Sequence, residues 1–402
     1  MTQDSTMRIA TANTYDNALE QLYKRQSDLS QQQEKVSTGQ RVNRPSDDPA
    51  AAAQAERAMT RLTRIDVDQR ALESQRAAIA TAESALGEAT SLVQGTRDLA
   101  ISALNAGFTP RDRTTVANQM ANLRDQLFAL SNRTDSNGVS LFGGLGSSGA
   151  PFADTTPGVS FQATAGQRAA TATALPGAMD GQAIWMDVPS GNGVFKVSLG
   201  GANTGTAWSD AGSVASPSAQ TGDSYSVSFS VVNGVTTYDV VDTTTATTVS
   251  AAQPYVDGAP ILFDGLSVIV HGAPANGDTV DVAPSVQTNV FKVLDDAIAS
   301  IGNAPGGNQL TQTVTLALVE IDAALERLQS ARSQAGDWLN RADTITNTQS
   351  ARSLSLEADR SRAVDLDMAK GISDFNKFQT GYQAALQSYA QIQKLTLFNF
   401  IT

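Results

Sequence analysis

Apolar residues recur at helical spacing near both ends of the chain and alternate at period two only in its middle. Near the start, Tyr15, Leu22, Leu29 and Val36 lie seven apart, with Leu19, Gln26 and Gln33 at the complementary positions. This is a heptad seam with two polar interruptions, and it predicts a helix over residues 13–38 with Gly39 as its C-terminal stop. Polar residues at such positions cost stability and fix register or oligomer state. Near the end, Phe375, Phe378, Tyr382, Ala385, Tyr389 and Ile392 step by three and four, and Phe398 and Phe400 prolong the aromatic run. Those steps form one stripe on a helix, with Gln, Ser, Asn and Lys on the other faces. A stripe this aromatic requires a cover, because soluble monomers rarely leave large contiguous apolar patches in water. The two ends therefore complete one another in a closed bundle, or complete neighbours in an assembly, and periodicity is satisfied by either.

Between the ends lie two longer repeats. Ile65, Leu72, Ile79, Leu86, Val93 and Ala100 are spaced by seven, and a helix from Ile65 to Leu104 would span about 60 Å at about 1.5 Å per residue. Gly107 and Pro110 break it, and Val116, Met120, Leu123, Leu127 and Leu130 predict a shorter helix that folds back, followed by a turn at Asn137-Gly138. Helix resumes with Val290, Leu294, Ala297 and Ile301 and stops at Ala304-Pro-Gly-Gly. A second long repeat follows in Val314, Leu318, Ile321, Leu325, Leu328, Arg332, Ala335 and Leu339, predicting a rod over about Leu310–Ala351 that matches the first in length.

Residues 151–285 differ in character. They hold 16 of the 31 glycines and no glutamate, and eleven aspartates face only Arg168 and Lys196. Tyr225-Ser-Val-Ser-Phe-Ser-Val alternates up to Asn233-Gly234 and resumes as Val235-Thr-Thr-Tyr-Asp-Val, a hairpin with a two-residue turn. Ile261-Leu-Phe and Leu266-Ser-Val-Ile-Val add strands. The expected fold is mainly α: an elongated antiparallel helical bundle or coiled coil built from both chain ends, with a small all-β domain inserted midway. Its expected parts are a terminal helix pair (1–45 and 360–402), a helical rod domain (46–150 and 286–359) and the β domain (151–285).

Arg44-Pro45-Ser46-Asp47-Asp48-Pro49 joins the first helix to the next. Pro45 disfavours helix at Arg44, the Ser and Asp side chains can cap a new helix, and Pro49 suits an early helical position. The motif reads as a hinge or as a capped bend.

Composition removes several function classes. The net charge of −12 comes with no Lys/Arg cluster, which disfavours a nucleic-acid surface. There are no cysteines, and His271 is the only histidine, placed at the end of an apolar run where a turn is expected. No apolar run is long enough to span a bilayer, and the N-terminus lacks a secretory apolar core. Gly144-Leu-Gly-Ser-Ser-Gly149 matches a dinucleotide fingerprint but leads into Pro151 and a Thr-, Ala- and Gly-rich stretch instead of a helix, so no cofactor is expected there. The aspartates lack the spacing of a calcium loop. Trp185 and Trp208 suit sugar stacking in a secreted adhesin or lectin on a helical stalk, or core and hairpin positions. No paired-carboxylate or nucleophile constellation stands out, so an enzyme is not expected.

Val36-Ser-Thr-Gly-Gln-Arg-Val-Asn-Arg-Pro-Ser-Asp-Asp-Pro49 resembles the N-terminal signature of the bacterial flagellin family, which includes the subunits at the hook–filament junction. Asn118-Gln-Met-Ala-Asn-Leu, Asn137-Gly-Val-Ser-Leu-Phe-Gly-Gly144 and Tyr382-Gln-Ala-Ala-Leu-Gln are similar to other family segments, and the resemblance covers about residues 7–145 and 286–402. Met7-Arg-Ile-Ala-Thr resembles the start of a junction member, making Met1–Thr6 an extension. The Pro-Ser-Asp-Asp-Pro turn and the Phe-rich end favour a junction adaptor over the bulk filament subunit. The resemblance implies an extracellular structural subunit of the flagellum that passes unfolded through the flagellar export apparatus, without a cleaved signal peptide, and polymerises through its end helices. The implied partners are the other junction subunit, flagellin, copies of itself in a ring, and an export chaperone on the C-terminal helix. The implied assembly residues are Tyr15, Leu19, Leu22, Leu29, Val36, Phe375, Phe378, Tyr382, Tyr389, Ile392, Phe398 and Phe400.

Overall fold

The computed structural model describes residues 4–105, 107–304 and 307–398, with side chains from residue 16 to residue 391. Six helices occur in chain order: α1 (Asp4–Thr38), α2 (Pro49–Ser102), α3 (Pro110–Ser131), α4 (Val290–Asn303), α5 (Gly307–Val364) and α6 (Met368–Phe398). The chain forms two compact units, one of Met1–Arg70 with Thr346–Thr402 and one of Ala71–Ile345. α2 begins at Pro49, well before the predicted Ile65, and stops at Ser102, just short of the predicted Leu104. α5 continues to Val364 because the polar residues after Ala351 include no glycine or proline to stop it.

In the 71–345 unit, the heptad positions of α2 are sealed: Leu72, Ile79, Leu86, Val93 and Ala100 are at most 2% exposed. They meet Val314, Ile321, Leu328 and Ala335 of α5, together with Val116, Met120 and Leu127 of α3 and Val290, Leu294 and Ile301 of α4. Ion pairs from Arg97 to Asp322 (2.7 Å), Arg332 to Glu83 (2.6 Å) and Arg76 to Asp343 (3.1 Å) fix α2 and α5 antiparallel. Arg332, placed by its spacing among the apolar positions, instead lies exposed in that ladder, and Ala331 takes the buried position.

The chain between α3 and the sheets contributes to this helical core. Trp185, on a short π-helical turn (Gln182–Met186), is fully buried, stacked on Phe291 at 5.8 Å and edge-on to Phe142 at 5.4 Å. Phe152, Val159 and Val188 belong to the same cluster. Arg124 of α3 pairs with Asp154, in the hairpin of strands Phe152–Thr155 and Gly158–Phe161, and with Asp295 of α4 (2.9 Å), over the rings of Phe128 and Phe291. Burial alone would lower its pKa, but the hydrogen bonds it donates to the two carboxylates outweigh that and push it up.

The sheet core begins at Phe195. A five-stranded antiparallel sheet orders the strands Phe195–Leu199, Thr279–Pro284, Tyr225–Val232, Val235–Asp242 and Thr247–Pro254. Its central hairpin turns at Asn233 (φ 52°) and Gly234 (φ 77°), the two left-handed residues that a tight turn of this twist requires. A smaller sheet is built on Pro260–Phe263 and Leu266–His271, and both sheets bury one apolar cluster against which Leu316 of α5 also packs. Lys196 reaches Glu320 of α5 (2.8 Å), and Gln312 of α5 accepts the amide of Ser209. These contacts hold the β region on the start of α5.

Candidate assembly interface

α1 and α6 lie side by side. The Gln32 side chain donates to the Gly371 carbonyl (3.0 Å), and a Cβ at Gly381 would stand 2.9 Å from the Arg25 guanidinium, so α6 runs antiparallel to α1. A side chain at Gly381 would meet only the flexible end of Arg25, which can swing aside.

The predicted seam lies between them but is not sealed. Leu19, Leu22, Leu29 and Val36 are half-buried, as are Phe375, Tyr382, Ala385 and Tyr389, while Gln26 and Gln33 face solvent. Phe378 is 37% exposed. Among the described residues, no apolar side chain of 16–38 or 368–391 is buried. The side chains of Tyr15, Ile392 and Phe398, and Phe400 altogether, lie outside the described residues. Four further exposed large apolar residues on these helices were missed by the sequence reading: Tyr23, Met368, Ile372 and Leu386. Ile372 and Leu386 are two heptads apart, and that spacing was the available signal.

At the base of the pair, the bend after α1 clasps the link between α5 and α6. Gly39 takes φ 71° and ends α1. Its carbonyl accepts the Leu366 amide (2.8 Å), and the Arg41 amide donates to the Val364 carbonyl (2.7 Å). The Arg41 guanidinium also donates to the Ala363 carbonyl (2.7 Å) and to Asp48 (3.0 Å). Asp47 accepts from the amides of Asn43 (3.1 Å) and Arg44 (3.0 Å), closing the turn. Asp48 caps α2 through the Ala51 amide (3.0 Å), with Pro49 the first residue of that helix. That amide bond, and then Arg41, hold the Asp48 carboxyl below the usual carboxylate range. Pro45 and Ser46 stand exposed at the tip, and Arg44 reaches Glu34 at 3.5 Å. Val42, Ala51 and Ala363 form a small buried cluster beneath. Of the two readings of this motif, the geometry is that of a capped bend tied across the chain, and Arg41 is the residue that ties it. Sequence spacing could not reveal this tie, because the carbonyls of Ala363 and Val364 that Arg41 reaches are more than three hundred residues away.

The sugar-stacking reading fails at Trp185, which is fully buried under Phe291 and Phe142. Trp208 stacks on His271 at 4.6 Å, the residue that closes its strand. Among the described residues, no group of three or more His, Asp or Glu could hold a metal, and no helix is long and apolar enough to cross a membrane.

Residues 9–147 match the bacterial flagellin N-terminal helical region and residues 318–401 the bacterial flagellin C-terminal helical region. Flagellar hook-associated protein 3 of Escherichia coli is 24% identical over 98% of this chain and 99% of its own length. The protein of the same name from Salmonella typhimurium is 25% identical over the same shares. A solved structure of flagellar hook-associated protein-3 from Legionella pneumophila superposes with a TM-score of 0.72 at 27% identity, covering 76% of this chain and 98% of that one. The two family regions together span more than half of the sequence, and they lie in the helical parts on either side of the sheets. The chain belongs to the flagellin family, as a structural subunit of the bacterial flagellum similar over its whole length to the hook-associated proteins 3.

Proposed function

We propose that this subunit is the adaptor at the hook–filament junction and that it polymerises through α1 and α6. The observation that carries the reading is a helix pair whose apolar seam stays half-covered, with Phe378, Ile372 and Leu386 exposed along it. Such a pair gains its missing cover when neighbours pack on it. The neighbours in this reading are copies of the same chain in a ring, with the other junction subunit on one side and flagellin on the other. Before export, a chaperone would cover the same α6 stripe. The chain would leave the cell through the flagellar export apparatus without losing a signal peptide. The aspartate-rich sheets would face outward, where a charge of one sign is solvated and keeps like copies apart.

The test is deletion of the gene in its flagellated host. The expected outcome is a cell with hooks, no filament, and flagellin shed into the medium, restored by supplying the gene again. Normal filaments in the deleted strain would overturn the assignment. Purified protein that grows long filaments alone would mark a bulk filament subunit instead.

A further inference from the structure

Charge is divided unevenly between the two units. Residues 1–70 and 346–402 carry 16 Lys and Arg against 15 Asp and Glu, whereas residues 71–345 carry 12 against 25. Essentially all of the net negative charge therefore belongs to the second unit. Within the first unit, a groove of about 460 Å³ runs between α2 and α5, walled by Arg57, Arg61 and Arg362 over a floor that includes Ala58 and Leu356. Arg362 is balanced by Asp359 at 2.6 Å. Arg57 folds onto the Ala53 carbonyl of its own helix (3.0 Å). Arg57, Arg61 and Arg64 follow each other at steps of four and three, on one exposed stripe of α2, and among the described residues none of them makes an ion pair. Elsewhere in the chain the arginines at 41, 44, 70, 76, 97, 124, 133 and 332 each have a carboxylate partner.

The second unit offers a matching feature. Glu326 and Asp337 are exposed on α5 and, among the described residues, lack a cationic partner. Eleven residues is three helical turns, so the two acids share one face. A cationic stripe left unpaired in an acidic chain is costly to crowd against itself and favourable to place against the acidic unit of another copy. Such a contact joins different patches of two copies, so it is head-to-tail and can propagate around a ring.

We infer that the Arg57–Arg61–Arg64 stripe docks on the acidic Glu326–Asp337 face of α5 in a second copy of this chain. The contact rests on the polymerisation reading above and adds to the terminal helices a charge-steered lateral contact. The test compares three full-length chains in cells that lack the native one. Arg57→Glu with Arg61→Glu and Arg64→Glu should fold normally by circular dichroism, since all three residues are exposed, yet cap hooks about tenfold less efficiently or worse. Glu326→Arg with Asp337→Arg should fail in the same way. The five substitutions combined in one chain should recover assembly, because every copy then presents both reversed faces. Wild-type assembly by the arginine set, or a combined chain no better than the arginine set, overturns the inference. Tyr382→Ala with Tyr389→Ala in the otherwise native chain separates the two ideas. If that pair blocks assembly and the arginine set does not, polymerisation through α1 and α6 stands and this contact falls. If neither blocks it, both fall.

Discussion

Two helix pairs in this chain carry the same seven-residue apolar repeat and bury it to different depths. In α2, Leu72, Ile79, Leu86 and Val93 are 2%, 1%, 0% and 0% exposed. In α1, Leu22, Leu29 and Val36 are only half-buried against α6. The repeat itself does not account for the difference; the neighbours do. Along Ala71–Ile345, α3, α4 and the Trp185 turn complete the cover over α2 and α5. Over α1 and α6 no further layer exists among the described residues, and the small clusters at their base, around Val42 and around Ile65, hold three buried residues each. A heptad specifies a helix and a seam, and leaves open how many partners the seam needs. Among the described residues the chain supplies them for one pair and not for the other.

The largest effect on the monomer should come from breaking the completed side. Trp185→Ala removes a fully buried indole that touches Phe291, Phe142 and Phe152, and a cavity of that kind costs about 3–5 kcal/mol. Chemical denaturation should show it as an equal loss in unfolding free energy. A loss below about 1 kcal/mol would mean that the aromatic nucleus does not hold the core together, and the contrast between the pairs would lose one side.

The sequence made the long helices, the Asn233-Gly234 hairpin and the two-end architecture legible, because each is coded by local period or turn chemistry. It left Trp185 ambiguous, since a lone tryptophan in a glycine-rich stretch has no period to place it. It was silent on Arg41 and Arg124, whose partners Ala363 and Asp295 come close only after folding. The seam on α6 was legible as a stripe, but its half-covered state was not. Phe375, Tyr382 and Tyr389 would show the same spacing in a closed bundle.

A smaller effect of opposite sign should sharpen the comparison. Gln349 lies seven residues from Ala342 and from Leu356, so it occupies a seam position of α5, yet it is 5% exposed and neither its amide nitrogen nor its oxygen has a partner. Burying an unsatisfied amide costs about 1–3 kcal/mol, so Gln349→Leu should raise stability by about 1 kcal/mol or more. Thermal melts followed by circular dichroism would register it. A destabilised variant would show that the amide is satisfied in solution and that this stretch is no weak point.

The clasp should respond to acid. Asp48 is held below its ordinary value of 3.8 by the Ala51 amide and by Arg41, so it stabilises the folded bend above that pH and loses this contribution as pH falls below it. Asp48→Asn should flatten the acid limb of a titration that follows proteolysis at the bend. An unchanged acid limb would mean that other carboxylates govern it.

The least effect on the monomer is expected at the α6 seam, and there it carries the most information. Tyr382 and Tyr389 are already half-buried against α1. Full burial of such a ring is worth about 2 kcal/mol, so about 1 kcal/mol per ring remains for a neighbour to gain. Losing both weakens each intersubunit contact by about thirtyfold. Because neither ring belongs to the cores of the Ala71–Ile345 unit, Tyr382→Ala with Tyr389→Ala should move the main thermal transition by less than about 2 °C. In cells the same chain should fail to support filament growth. Gln383→Ala with Gln387→Ala changes exposed residues of the same helix and should leave filaments intact. Should the tyrosine variant melt early instead, the rings would be monomer core, α1 and α6 would form a closed pair, and the difference between the two helix pairs would be one of degree only. Should it melt normally and still build filaments, the assembly surface lies on another face of these helices, with Ile372 and Leu386 the next residues to change.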